Sequence, residues 1–151
     1  VKDLPQIKLK IIGDGPALEE YKTIAAGCDN IMFEGPQWGD DLDVYLNRTK
    51  FVVVPSLWHE NFPYVINQSF AKGKPVVGTD KGGITELVSH GERGYIYRAH
   101  DVEHLKSTLL SLWADKEAVI RMGKNAKRWS DEEFNDEMFY QNIVRIYSNH
   151  L

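Results

Sequence analysis

"FVVVPSLWHENFPYVINQSFAKGKPVVGTD", residues 51–80, sets out in order an apolar run, a polar loop, a helical stretch opened by Pro63 and closed by Gly73, and a second apolar run. Two short β-branched runs joined through a helix read as parallel strands, because parallel neighbours need a crossover and a helix usually supplies it. The run at 51–55 is apolar at successive positions, as in a strand covered on both faces, and is expected in the middle of its sheet.

The same alternation extends outward. Toward the N-terminus come strand "IKLKIIG", helix "PALEEYKTIAAG" with Pro16 in its first turn and Gly27 past its end, strand "NIMFEG" and helix "DDLDVYLNRTK". Toward the C-terminus follow a short helix "ITELVSHG" and strand "GYIYRA". From Asp101 onward strands cease, and "DVEHLKSTLLSLWAD", "KEAVIRMGKNAKRWS" and "FNDEMFYQNIVRIYSNH" carry helical apolar spacing. The expected fold is therefore α/β: five strands in a Rossmann-like open parallel sheet flanked by helices, then a helical C-terminal tail. Residues 1–151 show no repeat, linker or composition shift, so a single domain is expected.

Composition narrows the classes. A length of 151 residues, 42% hydrophobic and 26% charged, suits a soluble globular chain able to bury a core unaided. The net charge of -4 gives no long-range attraction to nucleic acid, which disfavours that partner. One cysteine, Cys28, forms no internal disulfide and supplies no zinc spacing, so a reducing, cytoplasmic setting is expected. No apolar run approaches the roughly 18 to 20 residues that span a bilayer. No metal is expected, because no Asp-x-Asp cluster is present and the pair Asp40–Asp41 reads as helix capping.

In open α/β sheets ligands bind beyond the carboxyl ends of strands, where helix N-termini present unpaired N–H groups. After the run at 51–55, the loop "SLWHENF" leads into Pro63, placed to open a helix at its first position. The N–H groups around Phe62, Tyr64 and Val65 suit an anion such as phosphate. Glu60 would repel phosphate but accepts hydrogen bonds from hydroxyls on a group attached to it, and a sugar offers several. The alternative for Glu60 is simple complementation of the helix dipole. Gln68 lies one to two turns into an otherwise apolar stretch, and its alternative is a satisfied, partly buried amide. Gly82 and Gly83 permit either a tight turn or close approach to a ligand. His59, beside Trp58, is read as structural. Lys124, Lys127 and Arg128 are read as a solvated helix face, with contact to an anionic membrane as the alternative.

The order of these pieces is more specific than any one of them. "VVVPSLWHENFPYVINQSFAKGKPVVGTDKGGITELVSHGERGYIY", with "IKLKIIGDGP" and "NIMFEGPQ" ahead of it and the helical tail behind, resembles the nucleotide-sugar-binding, C-terminal half of retaining GT-B-fold glycosyltransferases, the glycosyl transferases group 1. The resemblance covers essentially the whole chain. It implies transfer of a sugar from a nucleoside diphosphate sugar, a UDP- or GDP-sugar, to an acceptor hydroxyl with retention, in glycan or polysaccharide biosynthesis. It implies no cofactor beyond that substrate.

Residue by residue, the resemblance assigns Glu60 to the donor sugar near the reacting centre as the catalytic candidate, and Asn61, Phe62, Pro63, Tyr64 and Val65 to the diphosphate. Family members carry two glutamates at the spacing of Glu60 and residue 68, the second on the ribose hydroxyls; here that position is Gln68. Pro63 also removes a donor that glycine-rich versions of the loop supply. Gly35, Pro36 and Gln37 are the candidates beside the base, with an ordinary turn as the alternative.

The strand and helix that open this half in family members, with a glycine-arginine and lysine pattern on the diphosphate, do not precede "IKLKIIGDGP". Nor does the N-terminal acceptor half. The chain is accordingly expected to be a fragment, with little transferase activity alone. The acceptor, a glycan or lipid-linked molecule, is expected to be met through the missing half, at the inner face of the membrane by peripheral contact. The last helix, with Phe139, Ile143, Ile146 and Tyr147 at helical spacing, is expected either to cross to that half or to pack on its own core. Two other readings are a nucleotide-sugar-binding or interaction module impaired by Gln68, and a GT-B-like nucleotide-sugar epimerase.

Overall fold

A computed structural model describes residues 1–148. The chain divides into two compact units, Val1–Arg48 and Thr49–Leu151. All five expected strands form, and every pairing between them is parallel, in two hydrogen-bonded sheets.

The first unit contains β1 (Leu9–Ile12), α1 (Leu18–Ile24), β2 (Ile31–Gly35) and α2 (Gly39–Arg48). β1 pairs with β2 from Leu9 opposite Ile31 to Ile12 opposite Gly35, with a register shift after Ile11. Helix α1 is shorter than its sequence pattern: Pro16 lies in the turn before it and Ala25 closes it. The buried Asn30 donates its amide to the carbonyls of Val1 (3.0 Å), Leu4 (3.1 Å) and Ile7 (3.0 Å). The Val1 and Leu4 carbonyls also accept from the N–H groups of Leu4 and Ile7 (2.9 Å each), so the amide ties together a turn already closed by its own backbone, beside the buried Leu4 and Ile7.

The second unit holds β3 (Val52–Val54), α3 (Tyr64–Ala71), β4 (Val76–Thr79), α4 (Ile84–Leu87), β5 (Gly94–Tyr97), α5 (Val102–Ala114), α6 (Lys116–Glu133) and α7 (Asp136–Ser148). Its sheet runs β3-β4-β5, so β4 is the middle strand and β3 an edge of this sheet. The expected central place of residues 51–55 is corrected accordingly: of β3 only Val54 is buried, whereas all four residues of β4 are. A β-branched run reports cover on its faces, not the number of strands paired to its edges.

The core of this unit gathers Ile66 and Phe70 of α3, Val76 of β4, Ile84 and Leu87 of α4, and Ala126 of α6. Ile66 and Phe70 are fully enclosed, and each such burial is worth about 1.5–3 kcal/mol. Helix α6 crosses closely here, because a side chain on Gly123 would stand 2.3 Å from the Gly73 carbonyl oxygen. Trp129 of α6 meets Phe70 edge-on at 5.9 Å, and Arg93 lies 4.5 Å over the Trp129 ring. Asp101 and Asp115 cap α5 and α6, accepting from the backbone N–H of His104 (2.9 Å) and Ala118 (2.8 Å).

The three-helix tail forms as expected. Helix α7 buries none of its residues, and Phe139, Tyr140, Ile146 and Tyr147 are each more than half exposed. Its apolar stripe is therefore not spent on this unit's own core; the last residues of the expected helix, 149 and 150, lie outside the described residues.

Candidate functional site

The loop after β3 is fixed from several sides. Ser56 Oγ donates to Glu60 Oε1 at 3.0 Å. Thr79 Oγ1, at the end of β4, donates to the Ser56 carbonyl at 2.7 Å, and the Gly83 N–H donates to the Glu60 carbonyl at 2.7 Å. The Glu60 carboxylate is half-buried and oriented through one oxygen, while its second oxygen has no partner among the described residues. That second oxygen is available to accept from a ligand hydroxyl.

Gly82 and Gly83 form a turn packed against the backbone of the Glu60 loop. A side chain on Gly83 would come within 2.1 Å of the Asn61 carbonyl oxygen, and one on Gly82 within 2.5 Å of the Glu60 carbonyl oxygen. Gly82 also has φ +48, which favours glycine. The β4–α4 junction thus lies directly against the backbone that carries Glu60, and the approach is to that backbone.

Helix α3 begins one residue later than expected. Pro63 is the N-cap, in extended conformation (φ -69, ψ 104), and no side chain caps the helix. Pro63 has no N–H, Ile66 N donates to the Pro63 carbonyl at 2.9 Å, and the first turn holds no acidic residue. The N–H groups of Tyr64 and Val65 therefore stand without partners among the described residues, at the positive end of the helix dipole. Such an end suits an anion. Asn61 and Tyr64 are exposed, Phe62 is 40% exposed, and Val65 is half-buried.

Two adjacent amides on α3 have different environments. Asn67 accepts from Ser130 Oγ of α6 at 3.0 Å and is accounted for by packing. Gln68, half-buried, makes no hydrogen bond with the described residues. The alternative of a satisfied, partly buried amide does not describe it. His59 and Trp58 are exposed side chains of the same loop.

In the first unit, Gly35, Pro36 and Gln37 turn the chain at the end of β2. Gly35 has φ +68, and Gln37 Nε2 donates to the Glu34 carbonyl at 2.8 Å, a side chain folded back on its own turn. Glu34 is hydrogen-bonded by Lys10 and by the Tyr45 hydroxyl. The bond from Lys10 holds the Glu34 carboxyl below its ordinary value against partial desolvation, while desolvation and Glu34 push the Tyr45 phenol up.

Sequence reasoning missed Ser56 and Thr79, which orient Glu60. Ser56 is visible in retrospect by its spacing from Glu60, whereas Thr79 belongs to another strand and leaves no local signal. It also missed Asp80, which accepts from Ala99 N at 3.0 Å while its own N–H donates to the Tyr97 carbonyl at 3.0 Å. The Ala99 N–H, with the charge of Lys81, holds this carboxyl below its usual range. Asp80 joins the ends of β4 and β5. Asp40 and Asp41 lie in the first turn of α2, and among the described residues no three His, Cys, Asp or Glu side chains cluster to hold a metal ion.

A surface trough on α6 is lined by Gly73, Ile120, Gly123, Lys124 and Lys127, among others, none of them from the Glu60 loop or the first turn of α3. Lys127 there is paired with Asp131 (2.8 and 3.0 Å) and Arg128 reaches Asn125 (3.3 Å). Such i,i+3 and i,i+4 pairing is ordinary for a solvated helix face. The trough's shape alone does not outweigh the unpartnered groups gathered at the Glu60 loop.

The sequence profile of the family described as "Glycosyl transferases group 1" matches residues 1–129. This chain belongs to that family. It is 30% identical over 143 residues to N-acetyl-alpha-D-glucosaminyl L-malate synthase of Bacillus anthracis, covering 93% of this chain and 37% of that protein. It is 32% identical over 131 residues to D-inositol 3-phosphate glycosyltransferase of Corynebacterium efficiens, covering 81% of this chain and 31% of that protein. Anabaena Alr3699/HepE, solved in complex with UDP-glucose, superposes with a TM-score of 0.84 at 23% identity, covering 97% of this chain and 43% of that one. The fold is that of the C-terminal half of a GT-B glycosyltransferase. The chain spans less than half the length of these relatives.

Proposed function

We propose that this chain is the donor-binding half of a transferase that moves a sugar from a nucleoside diphosphate sugar to an acceptor hydroxyl. The bond from the anomeric carbon to the diphosphate oxygen breaks, a bond to the acceptor oxygen forms, and the nucleoside diphosphate leaves while the proton of the acceptor hydroxyl passes to it or to water. The observation that carries this reading is the uncapped start of α3, with Tyr64 and Val65 N–H unpartnered, directly after a carboxylate held in place by Ser56. The backbone N–H groups of Asn61, Phe62, Tyr64 and Val65 bind the diphosphate around Pro63, Glu60 accepts from hydroxyls of the sugar, and the unpartnered Gln68 amide takes the ribose. Gly35, Pro36 and Gln37 lie along the base. The UDP-glucose held by HepE favours a UDP-sugar, with a GDP-sugar next.

The anomeric configuration is retained, and the product belongs to glycan or polysaccharide synthesis. The remaining half of the intact enzyme binds the acceptor, lies across the unburied stripe of α7, and closes the site against water; this chain alone therefore turns over little or no substrate. Among the described residues no helix is long and apolar enough to cross a membrane. The enzyme works in the cytoplasm, meeting a glycan or lipid-linked acceptor by peripheral contact with the inner face.

One observation favours a second reading. Gln68 offers a neutral amide where a carboxylate accepts from both ribose hydroxyls, which suits a binding module with weakened chemistry. Calorimetric titration of the intact protein with UDP, GDP and ADP, followed by release of free nucleotide from the matching sugar nucleotide and an acceptor mixture, separates the two. Binding with a Kd between about 1 μM and 1 mM together with turnover is expected. Binding without turnover selects the module, and no binding by the folded protein removes both.

A further inference from the structure

Phe62, in the middle of the loop assigned to the diphosphate, meets the exposed Tyr64 ring edge-on at 6.1 Å on one side and on the other joins an aromatic chain that leads back into the core. Its centroid lies 5.4 Å from that of Phe134, which closes the C-terminus of α6. Phe134 lies 5.1 Å from Trp129, and Trp129 meets the fully buried Phe70 at 5.9 Å, edge-on in both cases. Phe70 belongs to α3, so the chain of rings leaves the far end of the helix and returns to the loop ahead of its start. Phe134 is itself fixed, its N–H donating to the Ser130 carbonyl at 3.0 Å while Ser130 Oγ reaches Asn67.

The loop has few other holds at this point. Upstream, Glu60 and Asn61 are backed by the Gly82–Gly83 turn; downstream, Pro63 starts the helix. Between them the Phe62 ring meets Tyr64, two residues on, and Phe134, which is the ring that reaches it from a distant part of the chain among the described residues. Trp58, 66% exposed, makes no ring contact among the described residues.

We propose that Phe134 is a positioning residue for the diphosphate site: by holding the Phe62 ring it sets the direction of the backbone donors from Asn61 to Val65. The proposal rests on the reading of that loop as the diphosphate site. Phe134 touches no substrate and acts only through Phe62, so its effect falls on ligands that carry phosphate and spares the nucleoside.

The test is a double-variant cycle in the intact protein with Phe62→Ala, Phe134→Ala and both, read as Kd for UDP by calorimetry and for uridine by ligand-observed NMR; GDP and guanosine replace them if UDP does not bind. Phe134→Ala is expected to weaken the diphosphate about three- to tenfold, the range one aromatic pair supports. The nucleoside should change less than about twofold, and Phe134→Ala should add nothing once Phe62 is alanine. Phe134→Tyr should restore binding, and Phe134→Leu stands in if the alanine variant does not fold. Equal losses for diphosphate and nucleoside, or losses that multiply in the double variant, overturn the proposal and leave the diphosphate reading intact. If neither UDP nor GDP binds the parent protein, the diphosphate reading fails and the proposal with it.

Discussion

Replacing Gly83 by alanine isolates the contact between the two strand-to-helix junctions. Gly83 has helical backbone angles (φ -61, ψ -10), so alanine adds no backbone strain there and the effect comes from the methyl group alone. That group would stand 2.1 Å from the Asn61 carbonyl oxygen and 3.2 Å from that of Glu60. A relaxed contact needs about 3.5 Å, so the loop must retreat by roughly 1 Å or more. The hydrogen bond from Gly83 N to the Glu60 carbonyl, 2.7 Å long, is lost or stretched in the process. Overpacking of this kind costs about 1–3 kcal/mol. At about 2–4 °C per kcal/mol for a domain of this size, Tm falls by about 2–12 °C. A displacement near 1 Å at the reacting centre costs about a hundredfold in rate. Thermal unfolding by circular dichroism and initial rates of the intact enzyme measure both, with Gly15→Ala, whose added carbon has nothing within 4 Å, as the neutral control. A Gly83→Ala protein that melts and turns over like the parent would show that this turn does not hold the Glu60 loop.

Two further outcomes follow from the same geometry. If residue 68 faces the ribose as proposed, Gln68→Glu should tighten UDP binding about fivefold, on the scale of about 1 kcal/mol for one improved hydrogen bond; calorimetry checks it, and unchanged or weaker affinity removes residue 68 from the ribose. Glu34, hydrogen-bonded by Lys10, titrates below the ordinary glutamate value. Because its folded pKa is depressed, its contribution to stability is present above the unfolded value and lost as pH falls through the folded one. Carboxyl-carbon NMR should show the low titration in the parent and an upward return in Lys10→Met, and a parent Glu34 at or above the ordinary value would contradict the pairing.

The strand–helix order was legible because each apolar run and each helical stretch carries its own period, and Pro63 and Gly73 punctuate α3 within a residue or so. The rank of β3 in its sheet was not, since consecutive valines signal covered faces and say nothing of neighbours. Glu60 and Gln68 were legible as polar groups out of place on an apolar background. Their surroundings were not: Thr79 reaches Ser56 from another strand, Gly83 meets Asn61 across a loop, and Phe134 meets Phe62 from the end of a distant helix. Contacts between separate segments leave no periodicity in either one. Helix α7 shows the same limit, as its apolar stripe predicts burial without saying against what.

The division of labour between loop amides and carboxylate is tested most directly by calorimetry of Glu60→Ala in the intact protein with UDP and, separately, UDP-glucose. Amides that hold the diphosphate while Glu60 holds the sugar predict a Kd for UDP within about twofold of the parent. The affinity that the sugar adds should disappear. Equal weakening of both ligands, or no change in either, would contradict the assignment of Glu60 to the sugar.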